Sequence, residues 1–132
     1  MKKAYPVILT KGKKFILAYV PDFEINTQGE DVADAIEMVR DAIGVVGIDM
    51  EDENEKIPEP TVISEVKVES PDAITTLVDV DFSEYRRKND LRAVKKNCTI
   101  PSWLNYEAEK AGINFSALLT SALKSELQLS GR

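Results

Sequence analysis

Two short apolar-rich runs, Tyr5 to Thr10 and Phe15 to Val20, flank Lys11-Gly12-Lys13 and predict two strands joined as a hairpin. Pro21-Asp22 ends the second strand, and Ile25-Asn26-Thr27 is short enough for a third. After the turn at Gln28-Gly29 the period changes. Val32, Ala35, Ile36, Val39, Ile43 and Val46 recur at helical spacing, behind Glu30 and Asp31, whose charges suit a helix N-terminus. Gly44 and Gly47 weaken the last turns, so this helix is expected to fray before Asp49. The acidic run Asp49 to Glu55 reads as a solvated loop. Ile57-Pro58-Glu59-Pro60-Thr61 must be extended, because each proline restricts its predecessor as well as itself. Val62 to Val68 and Ile74 to Val80 then predict two more strands around Ser70-Pro71-Asp72. The order β-β-β-α-β-β describes an α+β domain with one helix packed on a sheet.

A different pattern occupies the C-terminal part. Lys95 to Ile100 reads as a strand with Lys95, Asn97 and Thr99 on one face and Lys96, Cys98 and Ile100 on the other. Pro101 fits a strand exit and the first turn of a helix. Leu104, Ala108 and Ala111 line one side of a helix over 102–111, and Gly112 is the residue expected just past its end. Asn114 stands where an N-cap belongs. Beyond it Phe115, Leu118, Leu119, Ala122, Leu123 and Leu127 form the stripe of a second helix. One strand and two helices have too little core to stand alone. Homodimerisation supplies both the missing core and a second strand, and Cys98 and Trp103 are expected in that core or interface.

Charge sharpens the division. From Arg86 to Arg132 there are nine Lys/Arg and four Asp/Glu, a net +5; the chain as a whole is −6, which leaves −11 for residues 1–85. A basic tail on an acidic domain is the balance of a nucleic-acid-binding unit attached to a partner-binding one. The expected organisation is residues 1–81, a linker over 82–91, and residues 92–132. The 132 residues contain no histidine and one cysteine. Imidazole-based acid–base or nucleophilic catalysis, imidazole metal sites and an internal disulfide are therefore excluded. No apolar run is long enough to span a membrane, and a cytoplasmic location is expected.

The segment from Lys95 to Leu127 resembles the ribbon-helix-helix family, in which strands of two chains pair antiparallel and enter the major groove of DNA. A second resemblance covers the rest. Tyr5-Pro6 opening a strand, Val20-Pro21-Asp22, Thr27-Gln28-Gly29, a helix rich in Glu and Ala, and Ile57-Pro58-Glu59-Pro60-Thr61 are together similar to HicB antitoxins. That resemblance implies a partial ribonuclease-H-like N-terminal domain that binds and occludes a HicA-type mRNA-cleaving ribonuclease toxin. It also implies a C-terminal unit that binds operator DNA and represses its own operon.

Lys95, Asn97 and Thr99 are the candidate base readers, since an ammonium, an amide and a hydroxyl on one strand face match base edges in a groove. Asn114, Phe115 and Ser116 are placed to hold a phosphate at the start of the second helix. Glu30, Asp31, Asp34 and Glu37 are the candidate toxin-facing acids. A ribonuclease-H-like fold also raises the possibility of catalysis by Asp22, Asp79 and Asp81 around a divalent metal. Asp79 and Asp81, however, alternate with apolar residues as a solvent face does, so no enzyme activity, metal or cofactor is expected. The alternative reading is a stand-alone ribbon-helix-helix regulator with a ligand-sensing N-terminal domain, although no glycine-rich phosphate cradle marks such a pocket.

Overall fold

The structure, a computed structural model, describes residues 1–129. It divides into two compact units, Met1–Arg92 and Ala93–Arg132. The first holds a four-stranded antiparallel sheet of β1 (Lys2–Lys11), β2 (Ile16–Val20), β3 (Ile25–Gly29) and β4 (Ile74–Asp81), in the order β3-β2-β1-β4. Helix α1 (Val32–Asp52) packs on one face, and a short helix α2 (Phe82–Lys88) follows β4 and packs on α1. The fold is mixed α+β, as the sequence pattern predicts.

Strand alternation builds the core. Tyr5, Val7 and Leu9 of β1, Ala18 and Val20 of β2, and Val78 and Val80 of β4 point inward and are buried. They meet Ala35, Val39 and Ile43 of α1, together with Ile57 and Phe82. Pro6 lies in a central strand, which proline normally avoids for lack of an N–H. Its position explains the tolerance: β2 pairs with β1 only from Ile8 onward, so at Pro6 the sole neighbouring strand is β4, through Leu77.

Three expectations are corrected in this unit. Helix α1 does not fray before Asp49 but continues to Asp52, where Asn54 takes φ +60° and the Asn54 and Glu55 amides close the end on the Glu51 and Met50 carbonyls. The glycines that seemed to weaken it are contact points. A Cβ on Gly47 would lie 2.2 Å from Phe82 Cε1, and one on Gly44 would lie 2.7 Å from the Tyr85 ring. Residues 82–88, expected within a linker, are therefore helix α2, seated on the bare backbone of α1. The predicted strand over Val62–Val68 does not form. The segment joins neither open edge of the sheet, β3 or β4, and instead makes a single 3-10 turn, Ile63–Glu65, closed by the Glu65 amide on the Val62 carbonyl. The order is thus β-β-β-α-β, with one strand fewer than the pattern suggests.

The second unit contains α3 (Ser102–Lys110) and α4 (Phe115–Glu126). Gly112 adopts φ +70°, and the Gly112 and Ile113 amides donate to Glu109 and Ala108 carbonyls, which ends α3 as the glycine predicts. Asn114 accepts from the Ala117 amide at 3.0 Å and caps α4.

Candidate functional site

In the second unit, Lys95–Ile100 has no regular secondary structure and belongs to no sheet. The strand expected there is absent: among the described residues Lys95–Ile100 pairs with no other strand. Lys95, Asn97 and Thr99 are exposed, as is the free thiol of Cys98. Asn114, Phe115 and Ser116 are brought together at the start of α4, with the Asn114 side chain turned back on the helix as its cap. Next to them Ser116, Thr120, Ser121 and Lys124 line a shallow polar hollow along the same helix.

The apolar stripe of α4 is formed but not covered. No residue of α3 or α4 is buried; Leu123 is 52% exposed, Leu127 64% and Trp103 68%. The expectation that this stripe is a core therefore fails within one chain.

In the first unit Glu30, Asp31, Asp34 and Glu37 are all exposed at the start of α1. Local roles occupy three of them. Asp31 is the N-cap and accepts from the Asp34 amide at 2.8 Å, while Asp34 Oδ2 accepts from the Glu30 amide at 2.8 Å. Glu37 pairs with Arg40 at 2.9 Å. Reversing Asp31 or Asp34 would disturb the helix start as well as the surface charge.

The three aspartates considered for catalysis each have structural partners. Asp22 accepts from the Thr61 amide at 3.0 Å and from the Thr61 hydroxyl. Asp79 lies 3.4 Å from Lys2 and 3.3 Å from Arg40, and these cations, Lys2 foremost, hold its carboxyl below the usual aspartate value. Asp81 caps α2 through the Glu84 amide at 3.1 Å, which likewise lowers its pKa. Among the described residues no three His, Cys, Asp or Glu side chains are grouped to hold a metal.

A groove not marked by any local motif runs between the C-terminal half of α1 and α2. Val45, Ile48, Asp49 and Asp52 line one side; Tyr85, Asn89 and Leu91 line the other. Tyr85 donates to Asp41 at 2.8 Å, and Arg86 reaches Asp52 at 3.0 Å. Burial and the neighbouring Asp41 push the Tyr85 hydroxyl up to about 12. The signal for this groove was Gly44 and Gly47 on one helix face, which marks a close approach only once α2 is known to be a helix.

The model of the HicB_like antitoxin family of bacterial toxin-antitoxin systems matches residues 5–122. Among solved structures, the chain is similar to one described as a toxin–antitoxin complex from Streptococcus pneumoniae, at 26% identity and a TM-score of 0.60 over 96% of this chain and 99% of that one. It also shares its fold with the antitoxin HicB of Burkholderia pseudomallei, at 23% identity and a TM-score of 0.56, over 96% and 97% of the two chains. Comparison with curated protein sequences gives no significant match. Among the described residues no helix is long and apolar enough to cross a membrane.

Proposed function

Because the chain belongs to the HicB-like antitoxin family of bacterial toxin–antitoxin systems, we propose that residues 1–81 bind and occlude a HicA-type mRNA-cleaving ribonuclease. In the same reading residues 92–132 form a ribbon-helix-helix homodimer that binds operator DNA and represses the operon. The observation that carries it is the family match, which runs through both units of the chain. The similarity to a toxin–antitoxin complex supports a toxin as the partner.

The physical logic is occlusion. A ribonuclease needs a cationic groove for phosphate, and an acidic domain competes for that groove without any chemistry of its own. The chain thus acts as a binder and not as an enzyme, in the cytoplasm where mRNA is cut, and its sheet-and-helix unit is read as a partial ribonuclease-H-like fold. For DNA, pairing Lys95–Ile100 with the same segment of a second copy completes a ribbon. Lys95, Asn97 and Thr99 then face base edges, and the amides at Asn114–Ser116 face a phosphate. The same pairing brings the uncovered α4 stripes of two copies together, which supplies the core that one copy lacks.

The test is purification of the protein from its native cells without nucleases. A small basic ribonuclease should co-purify in stoichiometric amount and be silent in the complex but active once separated. Recovery of operator DNA with no protein partner would refute the antitoxin half of the reading.

A further inference from the structure

Helix α1 carries an outward stripe that the core does not use. Asp34, Met38, Asp41, Val45, Asp49 and Asp52 follow one another at spacings of three, four or seven residues, so they share one face over about 27 Å of helix. Acid and apolar residues alternate along it, and Met38 and Val45 are 45% and 52% exposed. At its C-terminal half the stripe becomes the wall of the groove closed on the other side by α2. Leu91, 89% exposed, stands at the groove's edge.

Charge selects what such a face accepts. Residues 30–55 contain ten carboxylates and one cation, Arg40. Asp41 and Asp52 each commit one carboxylate oxygen to a contact across the groove, with Tyr85 and Arg86. Arg86 and Arg92 also line the groove, but Arg86 is paired with Asp52 and Glu51 and Arg92 with Asp90, so the stripe as a whole stays acidic. Exposed apolar residues also lie on the sheet: Leu17 of β2 lines a hollow shared with Met38, whereas Ile74 and Leu77 belong to the edge strand β4, with Ile74 beside Lys11 and Lys13 of the hairpin. A cationic partner is repelled there and attracted to α1.

Resting on the antitoxin reading, and extending its toxin-binding part beyond residue 81 to α2 and Leu91, we propose that this stripe and groove are the surface that receives the toxin, through a cationic amphipathic segment. Its apolar residues would cover Met38, Val45 and Leu91, and its Lys or Arg residues would meet the alternating carboxylates. Such a segment has the chemistry an RNA-cleaving protein uses for phosphate, so binding here and binding RNA exclude each other. The acids Glu30, Asp31 and Glu37 then border the surface, and its centre lies nearer Val45.

The experiment measures binding of the co-purified ribonuclease to full-length chains carrying Val45→Arg, Leu91→Arg, Asp49→Lys or, as control, Ile74→Arg. All four side chains are exposed, and unchanged melting temperatures check that each variant folds. Val45→Arg and Leu91→Arg should weaken binding by about tenfold or more, as a like charge at the centre of an interface does. Asp49→Lys should chiefly slow association and flatten its salt dependence. Ile74→Arg should bind as the wild type does. Full affinity in both arginine variants of the groove, or loss in Ile74→Arg alone, overturns the surface while leaving the antitoxin reading intact. If the groove variants change self-association and not toxin affinity, the face joins copies of this chain and the proposal is wrong. If the wild-type chain binds no ribonuclease, the antitoxin reading itself fails and takes this surface with it.

Discussion

Gly47 shows how one residue can reverse its ordinary effect. In an exposed helix, replacing glycine by alanine stabilises by about 0.5–1 kcal/mol, because alanine loses less backbone freedom on folding. At Gly47 the added Cβ would lie 2.2 Å from Cε1 and 2.6 Å from Cδ1 of Phe82, a ring that is 1% exposed and has no room to retreat. Overpacking of this kind typically costs about 1–3 kcal/mol and exceeds the propensity gain. Gly47→Ala should therefore lower the urea midpoint of the first unit, with little change in the slope of the transition. A midpoint that rises would mean that α2 does not sit on α1. Gly112, with φ +70° and nothing within 4 Å of its missing Cβ, is constrained by conformation alone.

At the scale of elements, the segment from Ile57 to Thr61 has no ladder of its own and is held by side chains. Tyr5 donates to the Pro58 carbonyl at 2.7 Å, Lys3 reaches both Glu59 oxygens at 2.8 Å, and Asp22 receives the Thr61 amide. Burial, with Glu59 and Asp22 adding to it, pushes the Tyr5 hydroxyl up to about 12. The pKa is raised, so the folded state keeps a proton that the unfolded chain loses near pH 10. The contribution is intact below about pH 10 and declines as pH climbs towards about 12, by at most about 1.4 kcal/mol per pH unit. Urea unfolding across that interval should show the decline, and Tyr5→Phe should make it shallower. The variant should also lose about 1 kcal/mol at neutral pH, where the Pro58 carbonyl is left without its donor. An unchanged alkaline slope in Tyr5→Phe would assign the effect elsewhere, with Tyr85 the next tyrosine to examine.

For the whole molecule, the two units differ in self-sufficiency. The first encloses a core of fully buried side chains, whereas α3 and α4 bury none. Leaving the α4 stripe in water would forgo roughly 1.5–3 kcal/mol for each large apolar side chain. Association of two copies through this stripe, as proposed above, would recover that burial. Leu123→Glu, placing a charge in its middle, should raise the dimer dissociation constant by about a hundredfold or more in sedimentation measurements. The urea midpoint of the first unit should remain where it was. A wild-type chain that sediments as a monomer at micromolar concentration, about the range of in vitro work, would rule out this use of the stripe.

What the sequence determined alone was local and periodic. Strands β1 to β4, the inward residues of α1 apart from Val32, which is 49% exposed, the Gly112 stop and the Asn114 cap follow from spacing and backbone chemistry that each segment carries within itself. Tertiary structure decided whatever depends on a distant surface. Residues 82–88 became a helix because Gly44 and Gly47, some forty residues earlier, leave room for Phe82 and Tyr85. Val62–Val68, strand-like in composition, stayed out of the sheet although β3 and β4 are open edges, and makes a 3-10 turn packed near β4 instead. The candidate DNA readers were legible as an alternating set, yet a ribbon strand is defined by its partner, and one chain does not contain it. The acidic residues of α1 were visible one by one. That several form a single stripe ending in a groove with α2 depends on the packing of two helices, which no local pattern encodes.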